Sequence, residues 1–350
     1  MKEVVMADTS VAVHLVARPL GTPTGDEFVF VAEPVPEPSP GTALVENVYL
    51  SVDPYMRELM DEGWELHSPL EGRAIGRVIA SRDSRLLVGD LVFHRKAWRT
   101  HAVVSPAEAR VLPVTEGVPI SAYLGILGGT GLTAYVALSQ IARLRAGESV
   151  FISGAAGGVG TAAGQIARIM GAKRIVGSTG SAAKAKHLTE ELGFDAAFDY
   201  HQRPVAELLA QAAPDGVDVC VENVGGEHLE AAIGAVRDHG RIVWVGAISQ
   251  YNSAQRPPAA PRNLYEVVGK SIRLEGFLVR EYGHLQGELE ALLIPHIQSG
   301  RLVADQTVVT GFNQVVEAFL GMLHGRNIGK MIVQVADQKD VVSPLSTDMP

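Results

Sequence analysis

The stretch SVFISGAAGGVGTAAGQIA, residues 149–167, constrains this chain more than any other. An apolar run of strand character enters a glycine-dense turn and leaves it with helical spacing. The first N–H groups of such a helix have no partner within it, and its dipole is positive at that end, so the turn suits a pyrophosphate. The literal G-x-G-x-x-G is absent. The variant Ala155-Ala156-Gly157-Gly158-Val159-Gly160 stands in its place. A tight strand-to-helix turn needs glycine for its own sake, so the surroundings must decide. Further strand signals fall at 174–179, 196–200, 217–223 and 241–247. Helical patterns fall at 159–170, 182–191, 205–212 and 227–236. This alternation predicts an α/β fold with a doubly wound parallel sheet and a dinucleotide at the turn.

The rest of the chain has a different texture. Up to about residue 120, short apolar or alternating runs (VAVHLVA, FVFVAE, TALVENVYLSV, AIGRVIAS, DLVFHR) are punctuated by EPVPEPSPG and LLVGD. They predict an all-β unit. GLTAYVALSQIARL has helical spacing, YNSAQRPPAAPRN reads as a Pro-rich loop and IRLEGFLV as one more strand. A helix is expected over 283–299 and a strand, helix and strand over 301–335. Residues 336–350 read as a flexible tail.

Composition removes several classes. A formal net charge of −9 argues against a nucleic-acid or anionic-membrane partner. No apolar run approaches the roughly 18 residues of a membrane span, and MKEVVMADTS lacks the apolar core of a signal peptide. A cytoplasmic protein is the expectation. The single cysteine, Cys220, lies in the apolar run VDVCVEN and is expected to be a core thiol. The 11 histidines show no H-x-x-x-H or H-E-x-x-H spacing, and His94 and His101 read as surface or core residues. No catalytic zinc is expected.

The second strand bears on the nucleotide. NAD sites usually place Asp or Glu there, about 20 residues beyond the turn, for the ribose 2′-OH. Here it ends Gly177-Ser178-Thr179-Gly180-Ser181, with Lys184 following. Hydroxyls and a lysine without a carboxylate suit a 2′-phosphate, which favours NADP(H) over NAD(H).

Taken together, SVDPYMREL, EGRAIGRV, LGILGGTGLTAY, AAGGVGTAAGQIA, GSTGSAAK, GFDAAFDY, ENVGGE, VGAISQYN and NIGKMIV follow one another in an order that resembles the medium-chain dehydrogenase/reductase superfamily. VDPYMR with GAISQYN is similar to its zinc-free leukotriene/prostaglandin reductase and alkenal double-bond reductase group, which includes curcumin-reductase-like enzymes. The resemblance implies a GroES-like substrate domain at 1–124, completed by about 301–335, and an NADP(H)-binding Rossmann domain at 125–300. It implies a homodimer built on edge strands, with IRLEGFLV as the candidate, and NADPH-dependent reduction of a C=C bond conjugated to a carbonyl. Carried onto matching positions, Gly157, Gly158 and Val159 line the pyrophosphate. Lys184 and Tyr200 hold the 2′-phosphate, with Gly177 and Ser178 in the same pocket. Asn223 and Val224 flank the adenosine and nicotinamide, Thr133 lies near the nicotinamide, and Asn327 near the cofactor's amide or phosphates. Where the family commonly has Met-Pro before GLTAY, this chain has Gly129-Thr130. That predicts a looser loop and a wider cleft.

Hydride addition to an enone needs a donor for the oxygen that becomes an enolate, and neutral tyrosine suits that role. Tyr55, fixed beside Pro54, is the first candidate. Tyr251, after the fifth parallel strand, is the second, with the loop behind it able to close over the site. Arg57 and Glu71 read as structural or interface residues. A quinone oxidoreductase and a non-catalytic NADP(H)-binding protein are the competing readings.

Overall fold

Apolar runs without alternation belong to strands covered on both faces, and the β/α pattern supplies helices to cover them. The computed structural model describes residues 9–253 and 260–335. Its first strands are β1 (Thr9–Leu15), β2 (Phe28–Pro34), β3 (Ala43–Ser51), β4 (Ala74–Ser81), β5 (Leu91–His94), β6 (His101–Val104) and β7 (Arg110–Val111). Then come β8 (Ser149–Ile152), β9 (Arg174–Thr179), β10 (Ala196–Asp199), β11 (Val217–Glu222), β12 (Val236–Trp244) and β13 (Arg273–Gly276). These six form a wholly parallel sheet in the order β10-β9-β8-β11-β12-β13. The last strands, β14 (Gln306–Thr310) and β15 (Lys330–Gln334), return to the first part of the chain. They complete the sheet β14-β15-β3-β4-β5-β7, with β6 paired to β3, while β1 and β2 make a separate ribbon.

Side chains of the parallel sheet divide by the two-residue period of a strand. Val150, Ile152, Ile175, Val219 and Val221 pack with Ala162, Ala163 and Ile166 of helix Gly158–Ile169. Phe151, Val176, Cys220 and Ile242 pack on the opposite face with Leu208, Leu209, Leu229 and Ile233. Close approach of helix to sheet requires Gly164, where an added Cβ would lie 2.2 Å from Phe194 Cζ. The seven-stranded sheet, antiparallel except for β14 with β15, buries Trp64, Trp98, Met56, Met60, Leu50 and Val333 against Phe319 of helix Val315–Leu323.

Most predicted elements recur within a residue or two. The differences have physical causes. IRLEGFLV is a strand only over Arg273–Gly276 and passes into a 3-10 turn over Val279–Leu285, so the expected helix begins late, at Gln286–Gln298. Short helical turns at Met56–Glu58 and Leu59–Gly63 interrupt the β-rich region and lack the length that makes helical periodicity visible. Among the described residues no helix is long and apolar enough to cross a membrane. The tail at 336–350, and residues 254–259 of the Pro-rich loop, lie outside the described residues.

Candidate active site

The order of the parallel strands reverses at β8, where the chain steps outward to β9 and later back to β11. A crevice opens there at the carboxyl ends of the strands. The glycine turn sits in it. Gly157 is the N-cap of helix Gly158–Ile169 and provides no side-chain cap. The first helical bond is made by Thr161 N to Gly157 O at 2.9 Å, so the N–H groups of Gly158, Val159 and Gly160 precede it and are available to an anion. Gly160 is required: a Cβ would lie 2.5 Å from Ala155 Cα and 2.6 Å from two backbone oxygens. Gly177 lets β9 approach the turn, since its Cβ would lie 2.7 Å from that of Ala155.

Other candidates surround the turn. Asn223 donates from its side chain to Ser153 O at 2.7 Å, and the Val224 side chain flanks Gly154. Ser181 caps helix Ala182–Glu190 by accepting from Lys184 N at 3.3 Å. The Lys184 ammonium is half-buried and donates to Gly325 O, and burial lowers its pKa. The Tyr200 hydroxyl lies by Gly180, and its ring meets His228 edge-on at 5.0 Å. Ser178, expected in the 2′-phosphate pocket, stands at the end of β9. Its side chain is fully buried and its hydroxyl has no partner. Asn327 is buried and donates to Gly329 O at 2.7 Å, which shapes its own loop. That loop seats on the turn, with Gly329 N bonded to Ala156 O at 2.9 Å.

Each sheet brings one tyrosine: Tyr55 follows β3, and Tyr251 follows β12 of the parallel sheet. Tyr55 precedes Met56–Glu58, and its hydroxyl is buried without a hydrogen-bond partner of good geometry. Burial, then Asp53, raises its pKa against the Arg73 and Arg95 guanidiniums, so the phenol is neutral. Tyr251 accepts from Ala247 N at 3.3 Å, and its pKa is also raised, first by burial. Arg57, fully buried, joins the two segments. Its Nε donates to Asn252 Oδ1 at 3.1 Å, its Nη2 to Gly21 O at 2.9 Å and its Nη1 to Asp61 at 2.8 Å. The motifs VDPYMR and ISQYN, remote in sequence, are thereby locked together. Glu58, Asp61, Ala247, Gln250 and Tyr251 line a cleft of about 240 Å³ between them.

Sequence reasoning missed a buried charge cluster at Asp53, two residues before Tyr55. Asp53 lies 3.1 Å from Lys330 Nζ, 3.4 Å from Arg73 Nη1 and 2.6 Å from Ser51 Oγ. Burial alone would raise the Asp53 pKa; the two cations and the hydroxyl outweigh it and keep the carboxylate ionised. A signal was present: Lys330 opens the apolar strand KMIVQ, and a charge buried there without a partner would be costly. Glu222 was also missed. It is fully buried, accepts from Val224 N at 2.8 Å and Gly225 N at 2.7 Å, and burial pushes its pKa up to about 7.

Gly129-Thr130 corrects the expectation of a looser loop. Gly129 opens helix Gly129–Val136, and Thr130 Oγ1 donates to Gly125 O at 2.8 Å. The space a side chain would take at 129 holds the Arg73 guanidinium, so it does not widen the cleft. Thr133 Oγ1 donates to Gly129 O at 2.7 Å on the same helix. His94 is a core residue, neutral with its pKa held to about 3 by burial, and it contacts Asn47 at 2.8 Å. His101 pairs with Thr100 at 3.0 Å, and Cys220 is buried. Among the described residues no His, Cys, Asp and Glu side chains gather as metal ligands.

Family models describe residues 12–112 as the N-terminal domain of oxidoreductase and 158–298 as zinc-binding dehydrogenase. The chain is 38% identical over 310 residues to the NADP(+)-dependent 2-alkenal reductase of Nicotiana tabacum, covering 86% of this chain and 89% of that enzyme. It belongs to the zinc-free alkenal and prostaglandin reductase group of the medium-chain dehydrogenase/reductases. A second member, the NADPH-dependent curcumin reductase of Escherichia coli strain K12, is 34% identical over 332 residues, covering 92% of this chain and 97% of its own. The crystal structure of CurA from Vibrio vulnificus in complex with NADPH superposes with a TM-score of 0.87 at 32% identity, covering 93% of this chain and 99% of that one. The group's zinc-dehydrogenase domain label thus extends to a chain without a zinc ligand set among the described residues.

Proposed function

We propose that this reductase uses NADPH to reduce the C=C bond of α,β-unsaturated aldehydes or ketones. The observation that carries the reading is the Tyr55 hydroxyl, a neutral, buried donor without a partner of good geometry, on the segment that Arg57 ties to ISQYN. The chain's likeness to the 2-alkenal reductase of Nicotiana tabacum and the curcumin reductase of Escherichia coli supports the reaction class.

The residues present fit the cofactor. Uncapped N–H groups at Gly158, Val159 and Gly160 suit the pyrophosphate, and no carboxylate ends β9. In this proposal Gly157, Gly158 and Val159 line the pyrophosphate, and Lys184 turns from Gly325 O to the 2′-phosphate beside Tyr200. Gly177 leaves the turn its room, and the Ser178 hydroxyl is an unused donor beneath it. Asn223 and Val224 flank the adenosine side, with Thr133 and Asn327 toward the nicotinamide. Bound NADPH supplies the hydride to the β-carbon. The protein's part is to hold the carbonyl oxygen with Tyr55 while charge develops on it, to wall the acceptor with Tyr251, and to keep bulk water out. The enolate electrons then return to the carbonyl as the α-carbon takes a proton from a water molecule, which leaves as hydroxide.

In the same reading residues 1–124 and about 301–335 form the substrate domain and 125–300 the cofactor domain. The enzyme acts in the cytoplasm as a homodimer through the β13 edge. Oxidation of NADPH against pent-3-en-2-one, pentan-2-one and a quinone, with NADH in parallel, tests the function. Turnover of the enone with NADPH preferred is expected; turnover of the quinone alone would overturn it.

A further inference from the structure

We infer that Arg73 is a second hydrogen-bond donor to the acceptor's carbonyl oxygen, acting beside Tyr55. The inference rests on the enone-reductase reading. The Arg73 Cζ lies 5.4 Å from the centroid of the Tyr55 ring. Its guanidinium is packed against the start of helix Gly129–Val136. A Cβ on residue 129 would stand 2.5 Å from Cζ, 2.7 Å from Nη2 and 2.8 Å from Nε. Glycine at 129 is therefore what leaves the guanidinium its place. The next residue, Thr130, faces Gly158 of the phosphate turn, where a Cβ would lie 3.3 Å from Thr130 Cγ2. Arg73 thus stands where the Tyr55 segment and the cofactor turn converge.

Its donors are not used up there. Among the described residues only Nη1 has a side-chain partner, Asp53 Oδ2 at 3.4 Å, and the side chain keeps 15% of its surface exposed. Asp53 is shared with Lys330 and Ser51, so the cluster of two cations and one carboxylate retains a positive charge. An oxygen gaining negative charge in a site of low dielectric is stabilised by preorganised donors, and more strongly by charged ones. The cluster supplies such a donor without reorganising, because Asp53 and the Gly129 backbone hold the guanidinium fixed. Lys330 has its stem against Gly158 as well, but its ammonium is occupied: it donates to Val52 O and to Met331 O at 3.0 Å and lies 3.1 Å from Asp53, which it anchors.

Steady-state kinetics of wild type, Arg73→Gln and Arg73→Lys test this, with pent-3-en-2-one and with β-nitrostyrene. The nitro acceptor stabilises its own negative charge and depends less on a donor. For Arg73→Gln we expect kcat on the ketone to fall roughly 10- to 100-fold and on the nitroalkene severalfold at most, with partial recovery in Arg73→Lys. The Kd for NADPH, read by fluorescence, should stay within about twofold. Equal losses on both acceptors, a ketone kcat within about threefold of wild type, or a parallel loss of NADPH affinity would each overturn the assignment. Should Arg73→Gln not fold, Gly129→Ala crowds the guanidinium without removing its charge. The same selective loss on the ketone is expected, and an unaltered ratio of the two acceptors overturns the inference. If the wild type itself reduces neither acceptor, the enone reading falls and this assignment with it.

Discussion

At the scale of single residues, burial sets the chemistry. Lys184 donates to Gly325 O in place of a carboxylate, so its charge is uncompensated and available to a phosphate. Lys184→Ala should weaken NADPH by roughly 10- to 100-fold and leave NADH nearly unchanged, as measured by fluorescence titration. Equal effects on both would remove the 2′-phosphate from this position. Tyr55→Phe should lower turnover about 10- to 100-fold at an unaltered NADPH Kd, and unchanged turnover would take the donor role from Tyr55. Glu222 makes a different test. Its pKa is raised to about 7 by burial, so the folded chain binds a proton more tightly than the unfolded chain. The stability this gives is complete below the ordinary carboxylate range and is lost as the pH rises through about 7. Glu222→Gln keeps an oxygen for the Val224 and Gly225 N–H groups. It should therefore be more stable than wild type at pH 8, by roughly 1–3 kcal/mol, with the advantage shrinking at pH 5. Thermal unfolding at the two pH values measures it.

At the scale of elements, the glycine turn is fixed by contacts that a methyl group cannot share. Gly160→Ala would place Cβ against the backbone of Gly154 and Ala155. The turn must open, and NADPH affinity should fall at least tenfold by isothermal titration while far-ultraviolet circular dichroism stays native. The turn was legible by its glycines, and the parallel strands as unbroken apolar runs alternating with helices of period 3.6. The charge cluster was not legible. Asp53, Arg73 and Lys330 lie in three separate motifs, and only the pairing of β3 with β4 and β15 puts them within a hydrogen-bond length or two of each other. The same holds for Gly129. Read as sequence it was a missing side chain; in space its position is filled by Arg73. Ser178 was readable as a hydroxyl in a polar turn, but strand alternation sends its side chain to the buried face shared with Val176.

At the scale of the whole molecule, Val48, Tyr49, Ile75 and Ile332 share one core with the parallel sheet, and a polar tie is added to it. Arg57 ties Gly21, Asp61 and Asn252 together from a fully buried position. Arg57→Met leaves those oxygens without a donor. Thermal unfolding should begin about 5 °C lower, and amide exchange over residues 247–252 should quicken. The KM for the enone should rise severalfold with little change in NADPH affinity, since the phosphate turn is held by the Gly329 loop instead. An unchanged exchange pattern would show that Arg57 does not couple the segments.

The strand order has a consequence for how the protein is made. β15 lies inside its sheet, between β14 and β3, with Ile332 opposite Ser51 and Val333 opposite Leu50. A ribosome that has released the parallel sheet has still not delivered β15. The nascent amino-terminal sheet must wait with the β3 edge open and Asp53 lacking Lys330. The parallel sheet can close first, and the sheet that holds β3 and β15, though begun first, is finished last.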